Sequence, residues 1–105
     1  MKPVKQYMLR MPDEVAALVR NLHPQIKSSI KFALKMILED PFCGKSLKEE
    51  LKGLKSYRVK RYRIIYRISR DGIIEVVTIG PRRHIYEDTF RIISQQKEAK
   101  SEGIK

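Results

Sequence analysis

Between residues 57 and 67 the chain reads YRVKRYRIIYR, placing Arg58, Lys60, Arg61, Arg63 and Arg67 within one short run. No carboxylate lies between Lys52 and Arg70, so local salt bridges cannot neutralise them. A second basic group follows in GPRRHIY, where Arg82 and Arg83 come just before Tyr86. Guanidinium groups match phosphate oxygens in a planar, two-pronged geometry and stay charged at any physiological pH. A phenol beside them has its phenolate favoured, and it can also stack on a nucleobase. This combination suits phosphate recognition, and phosphate-ester chemistry if the groups converge. Tyr86 has an equally ordinary reading as a core tyrosine. His84 lacks a carboxylate to orient it and a second ligand, which suits an exposed turn residue, and His23 before Pro24 reads as structural. Cys43 is the single cysteine, leaving no disulfide framework and no cysteine-based zinc site. No metal or cofactor site is expected.

The rest of the chain agrees with that chemistry. Its 105 residues make one domain, with a core that buries about 60 to 65% of the unfolded surface. Lys and Arg number 23 against 12 Asp and Glu, a net charge of +11, which favours a polyanionic partner. No apolar run reaches the 18 or so residues of a membrane span, and the N-terminus lacks a signal-peptide pattern. A soluble protein of the reducing cytoplasm is expected.

The elements that must position the arginines follow from periodicity. QYMLRM reads as a short first strand. Pro12 and two acids open a helix over 12–22, with Val15, Leu18, Val19 and Leu22 on one face. Pro24 opens a second over 24–39, with Ile26, Ile30, Ala33, Leu34 and Ile37 on one side. Lys27, Lys31 and Lys35 fall on another, the ordinary wet side of such a helix. Residues 41–55 read as a loop with one helical turn near Leu47–Leu51. Three strands follow, at 57–60, 62–69 and 73–79, the last two joined through Asp71-Gly72. A short helix over 85–96 closes the domain. The expected fold is α+β: a helical hairpin packed on a small antiparallel β-sheet with a short C-terminal helix. The domain occupies 1–97, and 98–105 reads as a charged, flexible tail.

If Lys60-Arg61 turns the first hairpin, Val59 faces Tyr62, Arg58 faces Arg63 and Tyr57 faces Ile64. Tyr57, Val59, Tyr62, Ile64, Tyr66 and Ile68 then share the face toward the helices, and Arg58, Arg63, Ile65 and Arg67 share the other. Lys-Arg lacks the Gly or Asn that two-residue turns favour, so a wider loop is the alternative. Like charges directly opposed cost a few tenths to about 1 kcal/mol, a penalty that a bound anion would reverse.

LKEELKGLKSYRVKRYRIIYRI followed by IIEVVTIGPRRHIYE resembles the RelE/ParE toxin superfamily of toxin–antitoxin modules across nearly the whole chain. The shared pieces are an L-K-G-L lead-in, an R-V-x-x-Y-R-I-I-Y hairpin and a G-x-R-R-x-x-Y close. The resemblance implies a small toxin held inactive by a separately encoded antitoxin, here expected to be acidic. It also implies, for the RelE branch, entry into the ribosomal A site and mRNA cleavage, and for the ParE branch, poisoning of DNA gyrase. Carried onto this chain, the RelE-like positions are Lys60, Arg63, Arg82 and Tyr86 as catalytic groups. Arg58, Lys60, Arg61 and Arg83 become RNA and phosphate contacts, with His84 a possible auxiliary. Three positions depart from the pattern: Arg58 stands where lysine is frequent, Lys60-Arg61 where Gly-Asp is common, and His84 where Asp often lies. A ribosome-dependent, metal-independent mRNA endonuclease is the reading chosen; a gyrase inhibitor and a non-enzymatic RNA-binding module are the alternatives.

Overall fold

The computed structural model describes residues 6–103. Strand β1 (Met8–Arg10) leads into helix α1 (Asp13–Arg20) and helix α2 (Pro24–Glu39). Two 3-10 turns, Pro41–Cys43 and Glu49–Leu51, flank the two-residue strand β2 (Lys45–Ser46). Strands β3 (Lys55–Val59), β4 (Tyr62–Ile68) and β5 (Ile73–Pro81) follow, and helix α3 (Ile85–Gly103) ends the fold.

Local chemistry explains the helix starts. Asp13 and Glu14 lie in the first turn of α1, where the helix dipole favours negative charge. Pro24 supplies a preset φ at the start of α2, and the His23 ring accepts a hydrogen bond from the Gln25 N–H at 3.3 Å. His23 is thus a helix cap. Asp40 ends α2 and its carboxylate accepts from the Phe42 N–H at 3.2 Å.

The five strands order as β1-β5-β4-β3-β2. The α+β architecture matches the expectation, with one difference of direction: β1 pairs parallel to β5, with Met8 beside Ile73, while the other pairs are antiparallel. Two further expectations need correction. The loop over 41–55 contains β2, which pairs Lys45 with Ser56. The last helix is not short, since it runs to Gly103, through most of the stretch expected as a flexible tail from residue 98. Glu, Lys, Gln and Ala are strong helix formers and keep that segment helical after its apolar period has faded.

The sheet is covered on both faces. Val15, Val19, Ile30, Leu34 and Ile37 of the helical pair pack with Ile64, Tyr66, Ile74, Val76 and Ile79. Burying an isoleucine as completely as Ile30 or Ile37 stabilises by roughly 1.5 to 3 kcal/mol. On the opposite face Leu54, Ile65, Val77 and Ile85 form a smaller cluster, with Ile92 and Ile93 of α3 against it. A bulge in β5 makes this second cluster possible. Ile65 pairs with Thr78 but Tyr66 pairs with Val76, leaving Val77 as an extra residue that joins the α3 side.

One tyrosine anchors the connector. The fully buried Tyr66 hydroxyl donates to the Pro41 carbonyl at 2.7 Å and accepts from the Gly44 N–H at 3.1 Å. Burial pushes its pKa up to about 12, so it stays protonated. A side chain at Gly44 would collide with that hydroxyl, which is why glycine stands there.

Candidate nucleic-acid interface

The hairpin between β3 and β4 takes the tight register: Val59 pairs with Tyr62, Arg58 with Arg63 and Tyr57 with Ile64. Lys60 pays for this turn with a left-handed backbone at φ 54°. No wider loop forms. Tyr57, Val59, Tyr62, Ile64, Tyr66 and Ile68 face the helical pair, and Ile65 faces α3, so the two faces sort as their alternation requires.

Cross-strand pairing builds two rows on the α3 face. The first runs Lys45, Ser56, Ile65, Thr78 across four strands, and the second runs Arg58, Arg63, Gly80. Gly80 has a positional reason. A Cβ there would sit 3.2 Å from Ile85 Cδ1, a tight contact that the buried Ile85 side chain would have to shift to relieve.

Beyond β5 the Arg82 N–H donates to the Arg61 carbonyl at 2.8 Å, tying the GPRRH turn to the tip of the hairpin. Arg82 precedes α3, and this turn places it on the wall of the same groove as Tyr86. Tyr86 lies in the first turn of α3 and is 38% exposed, which rules out the core reading of this residue.

These pieces enclose two adjoining grooves. One, of about 640 Å³, is lined by Lys45, Lys48, Ser56, Arg58, Arg63, Arg82 and Tyr86, with Ser46 and Leu47. The other, of about 670 Å³, shares Arg58, Arg63 and Arg82 and adds Lys60, Arg61, Pro81 and Arg83. No carboxylate lines either. Among the described residues the ion pairs join Arg10 and Arg67 to Glu75 and Arg91 to Asp88, and none involves a groove arginine. The grooves therefore combine high positive charge with guanidinium groups left open to an anion.

Tyr86 sits at the chemical centre of the first groove. Its hydroxyl lies 3.5 Å from the Ser56 hydroxyl, with either able to donate. This contact, followed by hydrogen bonding to Arg63 and the charges of Arg63 and Lys45, holds the phenol below its ordinary pKa, against the opposing effect of partial burial. Arg63 is steadied by a bond from its guanidinium to the Tyr62 carbonyl at 3.3 Å.

The structure thus gathers Arg58, Lys60, Arg61, Arg63, Arg82, Arg83 and Tyr86 along one surface. His84 is exposed in the turn before α3 and lines neither groove. Sequence reasoning missed Lys45, Lys48 and Ser56. Ser56 had a signal, lying two residues before Arg58 and so on its face of the strand. Among the described residues no three His, Cys, Asp or Glu side chains are grouped to hold a metal, and no helix is long and apolar enough to cross a membrane.

A small α+β domain whose antiparallel strands present open guanidinium groups beside a phenol defines a recognisable class. Residues 4–86 match the ParE toxin family of type II toxin–antitoxin systems, parDE, and the chain belongs to that family. Solved structures agree in fold. The RelBE2 toxin–antitoxin complex from Mycobacterium tuberculosis contains a chain 27% identical to this one, with a TM-score of 0.65, covering 74% of this chain and all of that one. A mutant of the E. coli toxin RelE in the free state is 16% identical, with a TM-score of 0.70, over 88% of this chain and 98% of that one. The archaeal RelE in its complex with RelB from Pyrococcus horikoshii OT3 is 17% identical, with a TM-score of 0.61, over 74% and 97%. No curated protein sequence matches. The protein is accordingly a toxin of a toxin–antitoxin module in the RelE/ParE superfamily.

Proposed function

We propose that this toxin is a ribosome-dependent mRNA endonuclease acting in the cytoplasm. The observation that carries the reading is the convergence of Arg63, Arg82 and a Tyr86 of lowered pKa on one groove without carboxylates. In the proposed reaction the ribose 2′-hydroxyl loses its proton to a base and attacks the adjacent phosphorus, the bond to the 5′-oxygen breaks as that oxygen takes a proton from water, and a 2′,3′-cyclic phosphate and a 5′-hydroxyl result. Arg63 and Arg82 take the charge that builds on the phosphoryl oxygens. Arg58, Lys60, Arg61 and Arg83 hold flanking phosphates and fix the strand in line for attack. Tyr86, as phenolate, accepts the 2′-hydroxyl proton or stacks on the neighbouring base, and Lys60 competes for the base role. His84 would act only after the turn rearranges, since it lines neither groove.

The ParE family match favours a second reading, a DNA gyrase inhibitor that needs no catalytic constellation. Primer extension on ribosomes programmed with a defined message separates the two. The endonuclease cuts the message, and Arg82→Ala slows single-turnover cleavage by about 10²- to 10³-fold while ribosome binding persists. A wild-type protein that leaves the message intact but stops supercoiling by purified gyrase sinks the proposal. The proposed partner is an acidic antitoxin encoded beside the gene, since a charge of +11 calls for a polyanionic cover. The Mycobacterium tuberculosis relative was solved as a toxin–antitoxin complex and the archaeal one as a RelE–RelB complex. Co-expression with the neighbouring reading frame should restore growth and yield a co-purifying complex.

A further inference from the structure

Helix α2 carries an anomaly on its wet side. Ile30, Ala33, Leu34 and Ile37 turn into the core, yet Phe32 is 65% exposed, between the exposed Lys31 and Lys35. Met36, one turn further along the helix, is also partly exposed, so this part of α2 presents apolar surface that the core does not use. Phe32 lines a groove of about 420 Å³ between α2 and β3, whose floor is Ala33, Tyr57 and Val59 and whose walls include Ser28, Ser29, Arg58 and Lys60. Arg58 and Lys60 are also walls of the basic grooves that hold the proposed reaction. The α2–β3 groove therefore adjoins the basic grooves at the edge of β3, through Arg58 and Lys60.

Aromatic faces set along a cationic channel are the means by which proteins hold single-stranded nucleic acid, because every base has a π-face and every nucleotide a negative charge. No carboxylate lines the α2–β3 groove, and the serines offer hydroxyls at its wall. Continuity with the basic grooves points to the same strand that occupies them.

We propose that the groove between α2 and β3 binds one nucleotide of the RNA strand, with Phe32 as the platform for its base and Arg58 and Lys60 on its phosphates. This rests on the endonuclease reading for the identity of the strand, and it adds a contact beyond the scissile phosphate. Stacking on Phe32 would accept any base, since every base has a π-face.

The test uses the purified full chain and a short single-stranded RNA with 2′-methoxy sugars, which cannot attack their own phosphates. One position at a time carries 2-aminopurine, whose emission falls on stacking. Wild type should bind and quench one position most strongly. Phe32→Ala should weaken binding by about tenfold and abolish that quench, whereas Phe32→Tyr should retain both. The ring is exposed, so melting curves of the variants should overlay that of wild type. Unchanged affinity in Phe32→Ala overturns the inference, as does failure of wild type to bind the oligonucleotide. A Phe32→Ala chain that keeps its RNA affinity but loses its antitoxin would reassign the ring to a protein surface and equally refute it. The assay needs neither ribosomes nor cleavage, so a toxin that binds this RNA yet cuts no message would remove the endonuclease reading and leave the platform standing.

Discussion

Arg58 and Arg63 stand directly opposite each other in the β3–β4 ladder, and the fold supplies neither with a carboxylate. Side chains in such a pair start about 4.5 to 5.5 Å apart at Cβ. With guanidinium heads splayed to about 7 Å, the repulsion is roughly 0.6 kcal/mol in bulk water and about 2.4 kcal/mol at an effective dielectric of 20. Arg58 is exposed, and salt shortens the range of the field, so about 0.5 kcal/mol is the appropriate size. A chain of 105 residues has an unfolding entropy of about 0.22 kcal/mol per degree, which converts this to about 2 °C in Tm. Arg58→Gln should therefore melt about 2 °C higher than wild type in low salt, and the gain should shrink in 0.5 M salt. In the same preparation, message cleavage should fall. Circular dichroism melts at two salt concentrations, run beside primer extension, measure both. Arg63→Gln is the weaker probe because losing its bond to the Tyr62 carbonyl offsets the relief. If Arg58→Gln lowers Tm in low salt, the arginine is bonded into the fold and the phosphate-grip argument collapses.

Lys60 holds a left-handed φ of 54°, so Lys60→Gly should gain up to about 1 kcal/mol in urea unfolding while RNA affinity drops. Tyr66→Phe strips a buried hydroxyl from the Pro41 carbonyl and the Gly44 N–H and should cost about 1 to 3 kcal/mol by the same measurement. Tyrosinate absorbance should resolve the two environments: Tyr86→Phe removes a phenol that ionises below its ordinary range, and Tyr66→Phe removes one that resists ionisation to about pH 12. Because Tyr66 ionises near pH 10 when unfolded but only near 12 when folded, its contribution is intact below about pH 10 and is lost as pH climbs through that window. Tyr66→Phe should flatten that decline. Ile37→Ala, at a fully buried site, should lose about 2 to 5 kcal/mol.

What was legible in the sequence was what short-range chemistry dictates. Pro24 and Asp40-Pro41 bracket α2 from Pro24 to Glu39 as their backbone restrictions require, and period-two alternation set the pairing of Arg58 with Arg63. Features made only by partners were hidden. Strand β2 has two residues and no period of its own; it exists because Lys45 and Ser46 meet Ser56 and Lys55. The parallel direction of β1 and the extra Val77 in β5 likewise depend on segments distant in the chain. The site divided along the same line. Arginines on one strand face announce themselves by spacing, whereas Lys45 and Lys48 look like loop lysines until β2 swings them beside Tyr86.

The parallel pairing of β1 with β5 also has a consequence in time. Arg10 meets Glu75 across 65 residues of chain, and Met8 bonds the Gly72 carbonyl at the turn before β5. Closing so long a loop demands a large entropy loss before any contact rewards it, so this edge of the sheet is among the last parts to form. Arg82 and Tyr86 lie further still toward the C-terminus, packed on a strand that must itself find its neighbours first. During synthesis the hairpin arginines emerge before Arg82 and Tyr86, with which they line the groove. The groove around Arg63 is therefore complete only once β5 and the start of α3 have joined the sheet, because Arg82 and Tyr86 supply its far wall.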